Sequence, residues 1–210
     1  MADKFNTLLE GNKVWIENVK AHSPGLFDQF TEGQHPTYLW IGCADSRVPA
    51  EEITNALPGS IFVQRNIANM VVHTDYNLLS VVNFAVTNLE VKHIIICGHY
   101  GCGGIKAALD NKSYGLLDNW LAHIKDIYKI HREELDKISD EQEREKRFIE
   151  INVQEQVHNL AEMAFIQQKW QTNEFPYIHG WVFNIENGEL INLDVTVNSP
   201  EGLDPLYQFD

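Results

Sequence analysis

The stretch His93-Ile94-Ile95-Ile96-Cys97-Gly98 constrains this chain more than any other. It is β-branched and apolar on both parities, so the strand it forms can show neither face to water. Such a strand belongs in the middle of a parallel sheet that is covered on both sides. Tyr38 to Gly42 is a second short run of strand formers, and Ser60 to Arg65, introduced by the turn pair Pro58-Gly59, is a third. Between and before them, Asp3 to Val19 carries Phe5, Leu8, Leu9, Trp15, Ile16 and Val19 near helical spacing. Tyr76 to Leu89 is apolar on most sides and reads as a buried helix. Leu116 to Lys169 holds much of the charge in helical pattern, and Gln154 to Trp170 continues it. Tyr177 to Asn184 and Leu190 to Val197 read as two strands joined through Asn187-Gly188, a strong hairpin signal. Strands alternating with helices predict one α/β domain over residues 1–210, with a mostly parallel β-sheet flanked by helices and a C-terminal hairpin. A helical N-terminal arm is expected at about 1–30. A chain of 210 residues is long enough for one filled core and short for several.

Charge narrows the partners. Sixteen Lys plus Arg against thirty Asp plus Glu leave a formal charge of −14. Such a surface repels phosphate backbones and anionic lipid, so no nucleic-acid or membrane partner is expected. The apolar runs at Leu78–Val86 and Ile94–Cys97 are far short of a bilayer span. Three cysteines, with no export signal in the first residues, argue for reduced thiols and a cytoplasmic setting.

Two short stretches follow predicted strands. Cys43-Ala44-Asp45-Ser46-Arg47 leaves the Tyr38–Gly42 strand, and His99-Tyr100-Gly101-Cys102-Gly103-Gly104 leaves the His93–Gly98 strand. The carboxyl ends of parallel strands border the crevice where ligands bind, so the two stretches are expected to meet there. Cys43, His99 and Cys102 supply two thiolates and one imidazole, a soft set that selects zinc over magnesium or calcium. Three such ligands with one open position match a catalytic zinc rather than a structural one. Cys97 lies inside the apolar strand and reads as a small core residue. The other eight histidines show no ligand spacing.

Asp45 is placed to occupy or guard the fourth position. If the segment is extended, Cys43, Asp45 and Arg47 share one face, and Arg47 can hold the carboxylate off the metal with a forked pair. Gly101, Gly103 and Gly104 would let the backbone pass close to the metal and turn into a helix whose first N–H groups favour an anion. Two thiolates and a neutral imidazole leave zinc formally uncharged, which predicts activity favoured by alkaline conditions.

At these residues the sequence resembles a β-class carbonic anhydrase, and we take the bacterial type as the expectation. The similarity runs from about Gln34 to Val195 and includes Gly59 to Asn69. The resemblance implies zinc held by Cys43, His99 and Cys102, with Asp45 as fourth ligand in a closed form and an Asp45–Arg47 dyad in the active form. It implies a lyase that reversibly hydrates carbon dioxide to bicarbonate and a proton. Gln34 and the Gly103 N–H are expected to contact bicarbonate, while Phe62, Ile67 and Phe84 line an apolar slot. Trp40 and Arg65 match two residues of a second, inhibitory bicarbonate site. The third position carries Phe183, whose missing hydroxyl predicts weak or absent inhibition. The family also implies a homodimer or homotetramer, with the N-terminal helix packed across the partner. Alternatives left open are hydrolysis of carbon disulfide or carbonyl sulfide on the same scaffold, and a non-catalytic structural-zinc or thiol protein.

Overall fold

The computed structural model describes residues 2–172 and 175–209. The chain divides into two compact units, Met1–His35 and Pro36–Asp210. The first holds α1 (Ala2–His22) and α2 (Leu26–Thr31). Helix therefore runs past the expected Val19, and Trp15 packs edge-on against Phe27 at 5.7 Å. The Phe5 side chain lies outside what is described.

The second unit is the α/β domain. Its chain order is β1 (Tyr38–Cys43), α3 (Ala50–Thr54), β2 (Ile61–Asn66), α4 (Tyr76–Thr87), β3 (His93–His99) and α5 (Gly103–Leu109). Then come α6 (Leu117–Ile130), α7 (Arg132–Leu135), α8 (Glu141–Ala161), α9 (Ala164–Trp170), β4 (Tyr177–Asn184) and β5 (Glu189–Val197). The sheet order is β2-β1-β3-β4-β5. The first three pairings are parallel and the last is antiparallel. β3 sits in the centre, as its two-sided apolar sequence requires.

Side-chain alternation sorts the interior into two clusters. Leu39, Ile41, Ile94, Ile96, Ile178 and Val182 face the larger one, with apolar residues of α4, α5, α6, α8 and α9. Trp40, Ile95, Cys97 and Phe183 face a smaller one, joined by Val48 and Ala50 at the start of α3 and flanked by half-buried Ile53, Ile61, Val63 and Trp181. Within this unit, then, helices crowd one face of the sheet and barely cover the other.

The charged stretch from Leu116 is helical as expected, in four helices, and Asp140 starts the longest of them by accepting from the Gln142 and Glu143 N–H groups. One expectation needs correction. α4 is buried on one side only. Leu78, Val82, Ala85 and Val86 enter the core, whereas Tyr76 is 81% and Phe84 43% exposed. The expected hairpin forms, its connection spanning Ile185 to Gly188 with Gly188 at φ +80°.

Candidate metal centre

β1 and β3 are parallel neighbours, paired up to Gly42 and Cys97. One or two residues later the strands deliver Cys43 and His99 to the same edge of the sheet. Gly101, in the left-handed region at φ +68°, then swings the chain back so that Cys102 joins them. Gly104 lets the following helix seat closely, since a Cβ there would stand 2.6 Å from Ile67 Cγ2. The donor atoms of Cys43, His99 and Cys102 all lie within 4.8 Å of one another, and all three residues are buried.

This set fits a zinc ion. The two Sγ atoms are 3.9 Å apart, close to the roughly 3.8 Å that tetrahedral geometry imposes on two sulfurs at zinc bond length. His99 Nδ1 donates to the Tyr100 carbonyl at 3.0 Å, which leaves the lone pair on Nε2. Nε2 is buried without a hydrogen-bond partner, an expensive arrangement unless a cation takes that lone pair. The hydrogen bond from Cys102 holds the Cys43 thiol well below its ordinary range, despite burial. The same contact and burial push Cys102 up. Two sulfurs this close therefore share a proton, and a divalent cation would relieve the repulsion between two thiolates.

Asp45 stands beside this tripod. Its Oδ1 accepts from the Arg47 backbone N–H at 3.0 Å and from Nε at 2.9 Å, while Oδ2 accepts from Nη2 at 2.7 Å. Oδ2 also lies 3.7 Å from His99 Nε2. The forked pair is thus present, but its cause differs from the sequence expectation. Residues 46 and 47 form a turn, closed by Val48 N–H donating to the Asp45 carbonyl, so Arg47 comes back over Asp45 instead of alternating along an extended strand. The guanidinium holds the Asp45 carboxyl well below the usual carboxylate range. Arg65 braces the same turn from β2, donating to the carbonyls of Cys43 and Asp45.

The remaining predicted residues are dispersed. Phe62 and Phe84 form an aromatic pair at 6.0 Å, and Ile67, 37% exposed, lies against Gly104. Gly103 is the first residue of α5 and a Cβ there would meet nothing within 4 Å. Gln34 belongs to the N-terminal unit, in an exposed stretch. Trp40 is 1% exposed and packs edge-on to Trp181. Arg65 donates to two backbone carbonyls, and Trp40 and Phe183 lie in one apolar cluster. Cys97 is fully buried, and burial pushes its thiol far up, in keeping with a core role.

No local sequence signal announces the support behind the centre. Asn152 on α8 donates to the Ala68 carbonyl at 3.1 Å, and Gln156 accepts from the Val71 N–H at 2.7 Å. Both amides are buried, and they hold the segment where Ala68 and Asn69 take φ of +64° and +48°. Tyr100 is tied to Glu150 at 2.8 Å.

Fold and donor set define an α/β metalloenzyme with a soft three-point cation site at the carboxyl edge of a parallel sheet. The family model for carbonic anhydrase matches residues 38–190. A carbonic anhydrase of Emericella nidulans is 46% identical over 188 residues, covering 90% of this chain and 82% of the relative. A tetrameric β-carbonic anhydrase of Sordaria macrospora superposes with a TM-score of 0.87 at 38% identity, over 93% of this chain and 99% of that one. A β-carbonic anhydrase of Coccomyxa in complex with acetazolamide gives 0.89 at 32% identity, over 93% and 88%. The chain belongs to the carbonic anhydrase family, in its β class. The bacterial-type qualifier finds no support, because such high similarity is to fungal proteins. The sulfur-substrate and non-catalytic readings are not favoured by these relatives.

Proposed function

We propose that this protein catalyses the reversible hydration of carbon dioxide to bicarbonate and a proton, with zinc held by Cys43, His99 and Cys102. The observation that carries this reading is the buried, partnerless His99 Nε2 set within 4.8 Å of two thiol sulfurs and beside the Asp45–Arg47 fork. Zinc, when bound, supplies the Lewis acidity that lowers the pKa of water toward neutrality. The chain supplies the rest. Asp45, kept ionised by Arg47, accepts a hydrogen bond from the attacking water and orients it. Arg47 keeps the carboxylate turned from the ligand position, and Arg65 fixes the turn that carries both. Phe62, Ile67 and Phe84 offer an apolar wall suited to a linear nonpolar gas, while the Gly103 N–H contacts the bicarbonate product.

The protein works as a homo-oligomer, dimer or tetramer, in the cytoplasm. The thin cover over the Trp40 face of the sheet and the exposed Tyr76 and Phe84 of α4 support a covering partner copy. So does the tetrameric state named for the Sordaria relative. Stopped-flow hydration across pH, alongside zinc content, tests the reading. Stoichiometric zinc with a rate that rises toward alkaline pH is expected. Full activity in protein stripped of zinc would overturn it.

A further inference from the structure

Tyr100 follows the metal ligand His99 and is held at three points. Its N–H donates to the Phe183 carbonyl on β4 at 3.0 Å. Its own carbonyl accepts from His99 Nδ1 at 3.0 Å. Its phenol donates to Glu150 Oε1 on α8 at 2.8 Å. Glu150 does not hang free. Its Oε2 accepts from Arg147 Nη1 at 3.1 Å, and Arg147 Nε donates in turn to Glu134 Oε1 at 2.7 Å. A continuous chain of hydrogen bonds thus runs from α7 through α8 to the Tyr100 phenol, on the residue whose carbonyl faces the imidazole.

That oxygen decides which nitrogen of His99 carries the hydrogen. A carbonyl only accepts, so its presence keeps the hydrogen on Nδ1 and the lone pair on Nε2, toward the two thiols. The peptide between Tyr100 and Gly101 lies in a turn whose next residue, Gly101, sits at φ +68°, a conformation glycine takes without strain. The Tyr100 phenol ties this turn to α8, and the Phe183 contact anchors it to the sheet. We infer that Tyr100 is a positioning residue for the metal ligand. Through its phenol–Glu150 tether it holds the carbonyl that orients the His99 imidazole and fixes its tautomer. The inference rests on the zinc reading above, and it adds to it a role for α8.

The test is zinc affinity, measured by competition with a chromophoric chelator at fixed pH, in the whole protein. Tyr100→Phe keeps the ring and removes only the tether. We expect its zinc dissociation constant to rise about tenfold, the lower end for groups that orient a ligand histidine. Glu150→Ala should give the same loss, and the double variant no more than either, because one tether is broken in each case. Glu150→Gln retains an acceptor oxygen and should restore wild-type affinity. A two-dimensional ¹H–¹⁵N spectrum of the zinc-free protein reads the tautomer directly, and Tyr100→Phe should blur the single Nδ1–H form of His99. A merely structural tether would lower thermal stability in zinc-free and zinc-loaded protein alike while leaving affinity and tautomer unchanged. That result, with the Tyr100→Phe constant within twofold of wild type, would overturn the inference. Wild-type protein that binds no zinc would instead overturn the reading beneath it.

Discussion

Arg47 grips both carboxylate oxygens of Asp45, Nε to Oδ1 at 2.9 Å and Nη2 to Oδ2 at 2.7 Å, while Oδ2 stays 3.7 Å from His99 Nε2. The carboxylate is therefore within a small rotation of the ligand position and is restrained by one side chain. Removing that side chain in Arg47→Ala frees Asp45 to swing onto the cation and fill the open position. The expected outcome is a fall in hydration rate of roughly 10²-fold, the scale of a lost proton-handling group, with zinc content unchanged. Arg47→Lys should recover little, because a single ammonium cannot reproduce the fork. Stopped-flow rates with metal analysis decide it, and an Arg47→Ala protein of full activity would remove the gating role.

A second pair governs acid sensitivity at the other end of the strands. His93 Nδ1 and His179 Nε2 are 3.0 Å apart with rings stacked at 5.2 Å, and His179 Nδ1 meets Thr196 Oγ1 at 2.9 Å. Burial, then the nearby His93, lowers the His179 pKa below its ordinary 6.5. The unfolded chain thus takes up a proton at His179 before the folded one does. The stability this gives is complete above about pH 6.5 and is lost as pH falls below that value toward the lowered folded pKa. Urea unfolding at pH 7.5, 6.5 and 5.5 should show wild type losing stability faster than His179→Gln over the lower interval. Parallel slopes in the two proteins would contradict the pairing.

How far the sequence foretold this molecule depends on whether the controlling interaction was local. β3 was legible because two-sided apolar β-branching admits few other fates, and the ligands were legible because soft donors directly followed strands. The Asp45–Arg47 pair was legible as a pair, yet its geometry was not: alternation along a strand predicted it, and a turn made it. Asn152 and Gln156 sit four apart among Ile151, Val153 and Val157 on α8 and look like any polar positions of a charged helix. Their importance arises from carbonyl and N–H groups more than eighty residues away. The exposed side of α4 was misread for a related reason, since an apolar sequence does not say whether this chain or another covers it.

Inhibition by product is the third expectation to test. Trp40 is buried, Arg65 is committed to the carbonyls of Cys43 and Asp45, and Phe183 lacks a hydroxyl. Bicarbonate added at fixed pH and ionic strength should leave the hydration rate unchanged apart from mass action. Arg65→Ala is a poor probe here because it also unfastens the Asp45 turn. Phe183→Tyr is the cleaner one. Strong noncompetitive inhibition in the wild type would show that the three residues rearrange to admit an anion.

The last prediction concerns the support under the left-handed Ala68–Asn69 segment. Asn152 Nδ2 donates to the Ala68 carbonyl, and Asn152 Oδ1 accepts from Gln156 Nε2 at 3.4 Å, with both amides buried. Truncation in Asn152→Ala leaves a buried carbonyl without its donor and weakens the hold on a non-glycine residue at φ +64°. The expected cost is about 1–3 kcal/mol of folding stability, read as a lower urea midpoint with unchanged slope. Ala68→Gly in the same background should recover part of that loss, because glycine accepts the left-handed conformation without the Cβ penalty. If Asn152→Ala unfolds at the wild-type midpoint, the amide is filling space rather than holding the turn behind the metal centre.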